Sequence, residues 1–166
     1  YAQSDNKESI AIGVYASQST VTFNGDTTIR TSTPGYSRGL WVYQSTVTFN
    51  GDTTIVVSGK RENSDGVHNS GGGRSSITFN GNLTISATGA YPSDNAHGIY
   101  NDNQNSRLHV RGNLDLTAPA NGSTVFGIRN QGVLTIDGSS SITATGSRSA
   151  YGIANTHRTA RMTFGG

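Results

Sequence analysis

The stretch Gln18-Ser-Thr-Val-Thr-Phe-Asn-Gly-Asp-Thr-Thr-Ile29 occurs a second time, letter for letter, at 44–55. A variant, Ser-Ile-Thr-Phe-Asn-Gly-Asn-Leu-Thr-Ile, occupies 76–85, and fainter copies begin at Leu108, Leu134 and Met162. Repeats at this spacing are typical of solenoids and propellers, in which each copy buries its apolar face against its neighbours. The repeat therefore constrains the fold class more strongly than any single motif does.

A second feature recurs with the same period. Each copy contains a glycine followed by an apolar residue, and in the later copies an Asn follows two residues after the apolar one. The glycines are Gly13, Gly39, Gly66, Gly98, Gly127 and Gly152, and the asparagines are Asn69, Asn101, Asn130 and Asn155. We count six copies, the last one truncated, and expect residues 1–166 to form a single solenoid.

The composition favours short strands and many turns over helices. The apolar fraction is 32%, below the roughly 45–50% of ordinary globular domains. Low apolar content often indicates disorder, but here the apolar residues recur at fixed positions in each copy. The net charge is +2 and cysteine is absent. The arginines are spread over the copies, so we expect no nucleic-acid partner. No apolar run is long enough to span a membrane.

Within one copy the apolar residues alternate with polar ones. Val21 and Phe23 flank Thr22, and Ile29 lies between Thr27 and Thr31 on one face, which predicts strands with one buried side. A propeller blade needs four strands over about 40–50 residues, and these copies are shorter. We therefore predict an all-β, right-handed parallel β-helix of about six coils, each with three short strands.

Stacking the coils converts each repeat position into a ladder that runs along the solenoid. Three apolar ladders are expected inside: Phe23, Phe49, Phe79, Val110, Ile136 and Phe164; Ile29, Ile55, Ile85, Leu116 and Ile142; and Val14, Leu40, Val67, Ile99, Ile128 and Ile153. The asparagines Asn69, Asn101, Asn130 and Asn155 form a fourth ladder, whose side-chain amides are expected to bond to one another. Ala16 and Val42 hold its place in the first copies.

The sequence contains no strong catalytic or metal-binding pattern. Asp26 and Asp52 stack at one corner and are the best candidates for a carboxylate pair, but each follows a turn glycine, so a turn-stabilising role is favoured. His68 and His97 are expected to approach each other, without an obvious third metal ligand. We predict no catalytic residues, no metal and no cofactor. The longer loops, around 60–65 and 91–97, are expected to be tolerated insertions.

One outward-facing ladder carries unusually large side chains. The residue two positions after each glycine is expected to point outward, which gives the candidate binding residues Tyr15, Trp41, His68, Tyr100 and Arg129, followed by Ala154. Aligned Tyr, Trp and Arg side chains are frequent anchors at interfaces. The alternative is that large flat side chains simply pack well on a sheet or are covered by loops.

The repeats resemble a known family. Ala150-Tyr-Gly-Ile-Ala-Asn155 and Asn130-Gln-Gly-Val-Leu-Thr-Ile-Asp-Gly138 are similar to repeats in the passenger domains of Gram-negative autotransporters, the secreted parts of type V secretion proteins. The resemblance implies a β-helical segment, exported through the outer membrane to the cell surface, which acts in adhesion, self-association or as a stalk; some such passengers carry protease domains. Because the repeats contain no unique polar cluster, we expect this segment to be non-catalytic. The implied partners are a host or bacterial surface protein, a glycan or a second copy, with no membrane insertion by this segment. The alternatives are a fragment of a carbohydrate-active β-helix enzyme and a phage tail-fibre type of β-helix.

Overall fold

The computed structural model describes residues 1–3, 9–59, 64–71, 73–89, 95–120 and 124–166. These residues form strands, turns and bends and contain no helix. The strands in chain order are β1 (Ala2–Gln3), β2 (Ile10–Ser17), β3 (Thr20–Phe23), β4 (Thr27–Thr33), β5 (Tyr36–Tyr43), β6 (Thr46–Phe49), β7 (Thr53–Gly59), β8 (Ser64–Ser70), β9 (Ser76–Phe79), β10 (Leu83–Gly89), β11 (Asn95–Asn101), β12 (Arg107–Val110), β13 (Leu114–Pro119), β14 (Thr124–Asn130), β15 (Val133–Ile136), β16 (Ser140–Thr145), β17 (Ser149–Asn155) and β18 (Arg161–Phe164).

The strands form three parallel sheets of six strands each, in which every third strand of the chain pairs with the next. Sheet A contains β1, β4, β7, β10, β13 and β16; sheet B contains β2, β5, β8, β11, β14 and β17; and sheet C contains β3, β6, β9, β12, β15 and β18. The predicted β-helix is therefore confirmed. It has about five turns, because the sixth copy contributes only β17 and β18.

The apolar ladders lie in the register that the repeats predict. Phe23, Phe49 and Phe79 are paired in sequence order, and their rings stack with centroids 4.6 and 4.9 Å apart. The Ile29 ladder follows sheet A, and the Val14 ladder follows sheet B. Leucine, isoleucine and valine side chains from the middle rungs are completely buried, so three narrow sheets enclose a continuous core.

The Asn ladder is also confirmed. Asn69 donates to Asn101 Oδ1 over 2.9 Å, Asn101 donates to Asn130 over 2.7 Å, and Asn130 donates to Asn155 over 2.9 Å. Asn69, Asn101 and Asn130 are fully buried. Val42 precedes Asn69 in the register and has no side-chain donor, so Asn69 Oδ1 lacks a hydrogen-bond partner among the described residues.

The corner between sheets C and A is held by side chains that bond the next rung. Asp26 Oδ1 accepts from the backbone N–H of Asp52 over 3.0 Å, and Asp52 Oδ1 accepts from that of Asn82 over 2.8 Å. Asn82 and Asn113 repeat this contact further along. Both aspartates therefore stabilise turns, as the favoured interpretation of the sequence predicts.

Candidate functional site on the outer face of sheet B

A glycine in each strand of sheet B changes the alternation of side chains. In β11, Ala96 and Ile99 are both completely buried although they are three residues apart. Gly98 is therefore an additional residue between two inward positions, comparable to a β-bulge. A Cβ atom at Gly98 would lie 2.5 Å from Leu116 Cδ2 and 2.7 Å from Gly127 O. The glycine strand presses directly on the core of sheet A, and only glycine fits there.

This irregularity places two columns of side chains on the outer face of sheet B, which we call the strip. The first column holds the residue before each glycine: Ile12, Arg38, Asp65, His97, Phe126 and Tyr151. The second column holds the residue two positions after it: Tyr15, Trp41, His68, Tyr100, Arg129 and Ala154. The second column is the predicted binding ladder, and the structure brings its members together in the predicted order.

The rings of the strip contact one another from rung to rung. Tyr15 and Trp41 have centroids 4.7 Å apart, and His68 and Tyr100 are 4.8 Å apart. The columns also contact each other, because the ring of His97 lies 4.7 Å from that of Tyr100. The first column continues through Phe126 to Tyr151, which are 5.0 Å apart.

Two arginines cover rings of the strip. The guanidinium carbon of Arg38 lies 4.2 Å from the Trp41 ring centroid and 4.6 Å from that of Tyr36. The guanidinium carbon of Arg129 lies 4.9 Å from the Tyr100 centroid. Stacked cation–π contacts of this kind hold long side chains flat on the sheet. The strip is thus a packed layer of rings and guanidinium groups.

Asp65 lies at the centre of this layer with its carboxylate buried. Its Oδ2 atom accepts from Tyr36 Oη over 3.1 Å, from Arg38 Nε over 3.2 Å and contacts His68 Nδ1 at 3.0 Å. Its Oδ1 atom lies 2.7 Å from His97 Nδ1. The residue is only 1% exposed. A carboxylate this buried requires such a set of donors, because each unpaired charge inside a protein is costly.

His68 lies between two carboxylates. Its Nδ1 atom faces Asp65, and its Nε2 atom lies 3.5 Å from Asp102 Oδ2. Since both ring nitrogens face acceptors, the doubly protonated imidazolium fits this position best. Among the described residues, the Nε2 atoms of both His68 and His97 are buried without a hydrogen-bond partner, but only that of His68 has a carboxylate beside it, Asp102. The charges of Asp65 and Asp102 are therefore balanced by Arg38 and His68.

The pKa directions agree with this geometry. Burial alone would raise the pKa of Asp65, but the hydrogen bonds with His68 and His97 hold that pKa well below its ordinary value of 3.8. Burial opposes the charged form of His68, yet the contacts with Asp102 and Asp65 raise its pKa above 6.5. Burial, and then the charge of Asp65, raise the pKa of Tyr36. Asp65 is thus a fixed negative charge and a poor proton acceptor.

The exposure of the side chains varies along the strip. Tyr15 is 53% exposed, but His68 is only 6% exposed. Trp41, Tyr100 and Arg129 are half-buried. His68 lies in the outward column, as the other four residues do, but neighbouring side chains surround its ring. The exposed apolar surface of the strip lies towards its two ends, at Tyr15 and at Tyr151, which is 48% exposed.

Sequence reasoning missed the first column. Asp65 was expected in an insertion loop, but it lies in strand β8, and His97 lies in strand β11. In those two loops, Ser64, Asn95 and Ala96 also belong to strands, and residues 60–63 and 91–94 lie outside the described residues. A usable signal was present, because a large side chain precedes the glycine in five of the six copies, with Asp65 as the exception. His68 and His97 do approach each other, as expected, through Asp65.

Within the described part of the chain, no group of three or more His, Cys, Asp or Glu side chains is placed to hold a metal ion. In the same residues, no helix is long and apolar enough to cross a membrane. Searches against family models, curated proteins and solved structures find no match to this chain.

Proposed function

We propose that the chain is a binding segment of a secreted or surface-exposed β-helical protein, of the kind found in autotransporter passengers, and that it acts without catalysis. The strip on the outer face of sheet B makes the contact. The partner is a protein or glycan on a host or bacterial cell, or a second copy of the chain. Nucleic acid and membrane insertion are not part of this proposal.

The observation that supports the proposal is the contrast between the outer faces of the sheets. The corresponding outward ladder of sheet A consists of Thr28, Thr54, Thr84, Asp115 and Ser141. Sheet B instead presents a layer of aromatic rings and guanidinium groups. Since a parallel sheet does not need aromatic residues on its solvent face, the strip favours a role in contact with a partner.

The state of the carboxylates favours binding over hydrolysis. Asp26 and Asp52, the pair that a glycosidase-type alternative would use, accept backbone hydrogen bonds from the next rung. Asp65 is enclosed and its oxygens are occupied by four side chains. Asp26 and Asp52 are thus engaged in turns. Asp65 is a poor general acid or base, because a group in that role needs a pKa near the working pH and the pKa of Asp65 is held well below its ordinary value.

The test is a chain with Tyr15→Ala and Tyr151→Ala, which removes both exposed rings and leaves the Asp65 cluster intact. Its matched control is Arg30→Ala, on the exposed outer face of sheet A. Each variant is assayed for binding to cells and for self-association by sedimentation, after circular dichroism has confirmed the fold. We expect the double variant to lose binding or self-association and the control to keep it. Equal binding by the double variant and the control would exclude the strip as the contact surface.

A further inference from the structure

A polar pocket of about 190 Å³ lies between sheets B and C. It is lined by Arg74, Gln104, Asn105, Arg107 and Val133. Arg107 and Val133 are paired in adjacent strands of sheet C, and Arg74 precedes the neighbouring strand β9. Gln104 and Asn105 belong to the connection that leads from sheet B into β12. The pocket thus gathers two guanidinium groups and two side-chain amides from successive rungs.

The backbone around the pocket is held by hydrogen bonds. Asn105 N donates to Asn103 Oδ1 over 2.8 Å, and Ser106 N donates to Asn103 O over 3.0 Å. Arg107 N donates to Ser75 O over 2.8 Å, which ties the pocket to the preceding rung. Ser106, between Asn105 and Arg107 in the sequence, is completely buried. The lining groups therefore stand on a framework that is already formed before any ligand arrives.

The charge of the pocket is not balanced from within. Neither Arg74 nor Arg107 forms an ion pair with any described residue, and both are exposed. The carboxylate in the same connection, Asp102, faces His68. Arg161 follows Val133 in the register of sheet C and adds a third positive charge along this side. After residue 103 the chain has six arginines and two aspartates, so the local excess of positive charge extends over several rungs.

We propose that this pocket binds the carboxylate or sulfate group of an acidic sugar residue. A guanidinium group donates two parallel hydrogen bonds to such an oxyanion. The amides of Gln104 and Asn105 each offer donors and an acceptor, which suits the hydroxyl groups beside it. The volume is below the roughly 300–1,000 Å³ of pockets for drug-sized ligands, so it admits one sugar-sized group. The lining contains no aromatic ring on which a nucleic-acid base would stack.

The experiment titrates the full chain with two probes and follows the arginine Nε–H signals by nuclear magnetic resonance. One probe is a tetrasaccharide that alternates glucuronic acid and N-acetylglucosamine, with its methyl ester as the neutral form. The other is the same tetrasaccharide carrying sulfate groups and esterified carboxyls. We expect the Arg74 and Arg107 signals to shift with one of the charged probes and not with the neutral ester. That comparison identifies which oxyanion is recognised.

The variants are Arg74→Gln, Arg107→Gln and, as the matched control, Arg111→Gln, an exposed arginine in the turn after β12. Hydrogen bonds to charged groups correspond to a loss of affinity of about tenfold or more each. We expect such a loss for the first two variants and none for the control. Arg74→Lys keeps the charge but loses the planar fork, so its affinity is expected to fall between wild type and Arg74→Gln.

The proposal is overturned if neither probe binds, if Arg111→Gln weakens binding as much as the pocket variants, or if an acidic peptide or single-stranded DNA binds more tightly than both probes. It is independent of the strip. A chain with Tyr15→Ala and Tyr151→Ala is expected to bind the charged sugar with unchanged affinity, so failure of one proposal does not imply failure of the other.

Discussion

Replacing Asp65 with Asn tests the buried charge cluster of the strip. The substitution keeps the size of the side chain but removes its charge and one of its two acceptor oxygens. In the unaltered chain, Asp65 Oδ2 contacts Tyr36, Arg38 and His68, while Oδ1 contacts His97. The single oxygen of an Asn side chain can accept the hydrogen bonds of only one of these two positions. Its NH2 group then faces the partners of the other position. Arg38 and His68 lose their buried counter-ion.

The magnitude follows from the burial of these groups. The side chains of Asp65, His68 and Arg38 are 2%, 8% and 13% exposed, so water screens them little. Removing one partner of a buried ion pair costs about 3–5 kcal/mol. We expect the free energy of unfolding of Asp65→Asn to fall by an amount in this range at pH 6. The matched control is Asp115→Asn on the exposed face of sheet A, for which a change within about 0.5 kcal/mol is expected.

The assay is urea-induced unfolding followed by circular dichroism, repeated at several pH values. Asp65 has a lowered pKa in the folded chain. Its contribution is therefore complete above the unfolded value of 3.8 and is lost as the pH falls towards the folded pKa. The difference between wild type and Asp65→Asn should shrink at acid pH. Equal stability of Asp65→Asn and Asp115→Asn at pH 6 would refute the assignment of Asp65 as the centre of a buried charge cluster.

Three further perturbations test other parts of the structure. Phe49→Ala removes a completely buried ring between two stacked neighbours and should lower the free energy of unfolding by about 3–5 kcal/mol; an unchanged urea midpoint would contradict this. Asn101→Asp places a carboxylate against Asn130 Oδ1 and should lower the melting temperature at pH 7 more than at pH 3, whereas an equal effect at both pH values would count against it. His68 has a raised pKa, so its contribution to the free energy of unfolding is complete below about pH 6.5 and is lost as the pH rises through the pKa of the folded chain. His68→Gln should therefore flatten the dependence of stability on pH above about pH 6.5. An unaltered pH dependence would disprove the imidazolium assignment.

Much of the fold follows from the repeat itself. When near-identical copies stack, each side chain lies beside its counterpart in the next coil. Alignment of the copies therefore predicts the Phe, Ile and Asn ladders, and also the pairing of Ala16 with Val42. Alternation with period two then decides which ladders face inward. The turn role of Asp26 and Asp52 follows from the glycine before each of them.

The Asp65 cluster did not follow from the sequence, for two physical reasons. Asp-Gly at 65–66 is typical of a turn, which places Asp65 in a loop. In a regular strand, residues three apart lie on opposite faces, so Asp65 and His68 are not expected to meet. The additional residue at Gly66 brings both side chains to the same face. The reason for it is the close packing of Gly66 against Ile85 of the facing sheet, which the sequence alone does not show. The burial of His68 is a consequence of the same irregularity.

The most direct test of the strip is photo-cross-linking. A benzophenone amino acid is introduced at position 15, 151 or 30 in separate preparations of the chain, and each is irradiated alone and with target cells. Tyr15 and Tyr151 are the exposed rings of the strip, and Arg30 lies on the outer face of sheet A. We predict covalent adducts, either with a cell-surface partner or with a second copy, from positions 15 and 151 and not from position 30. Adducts at position 30 alone, or equally at all three positions, would contradict the proposal that the outer face of sheet B is the contact surface.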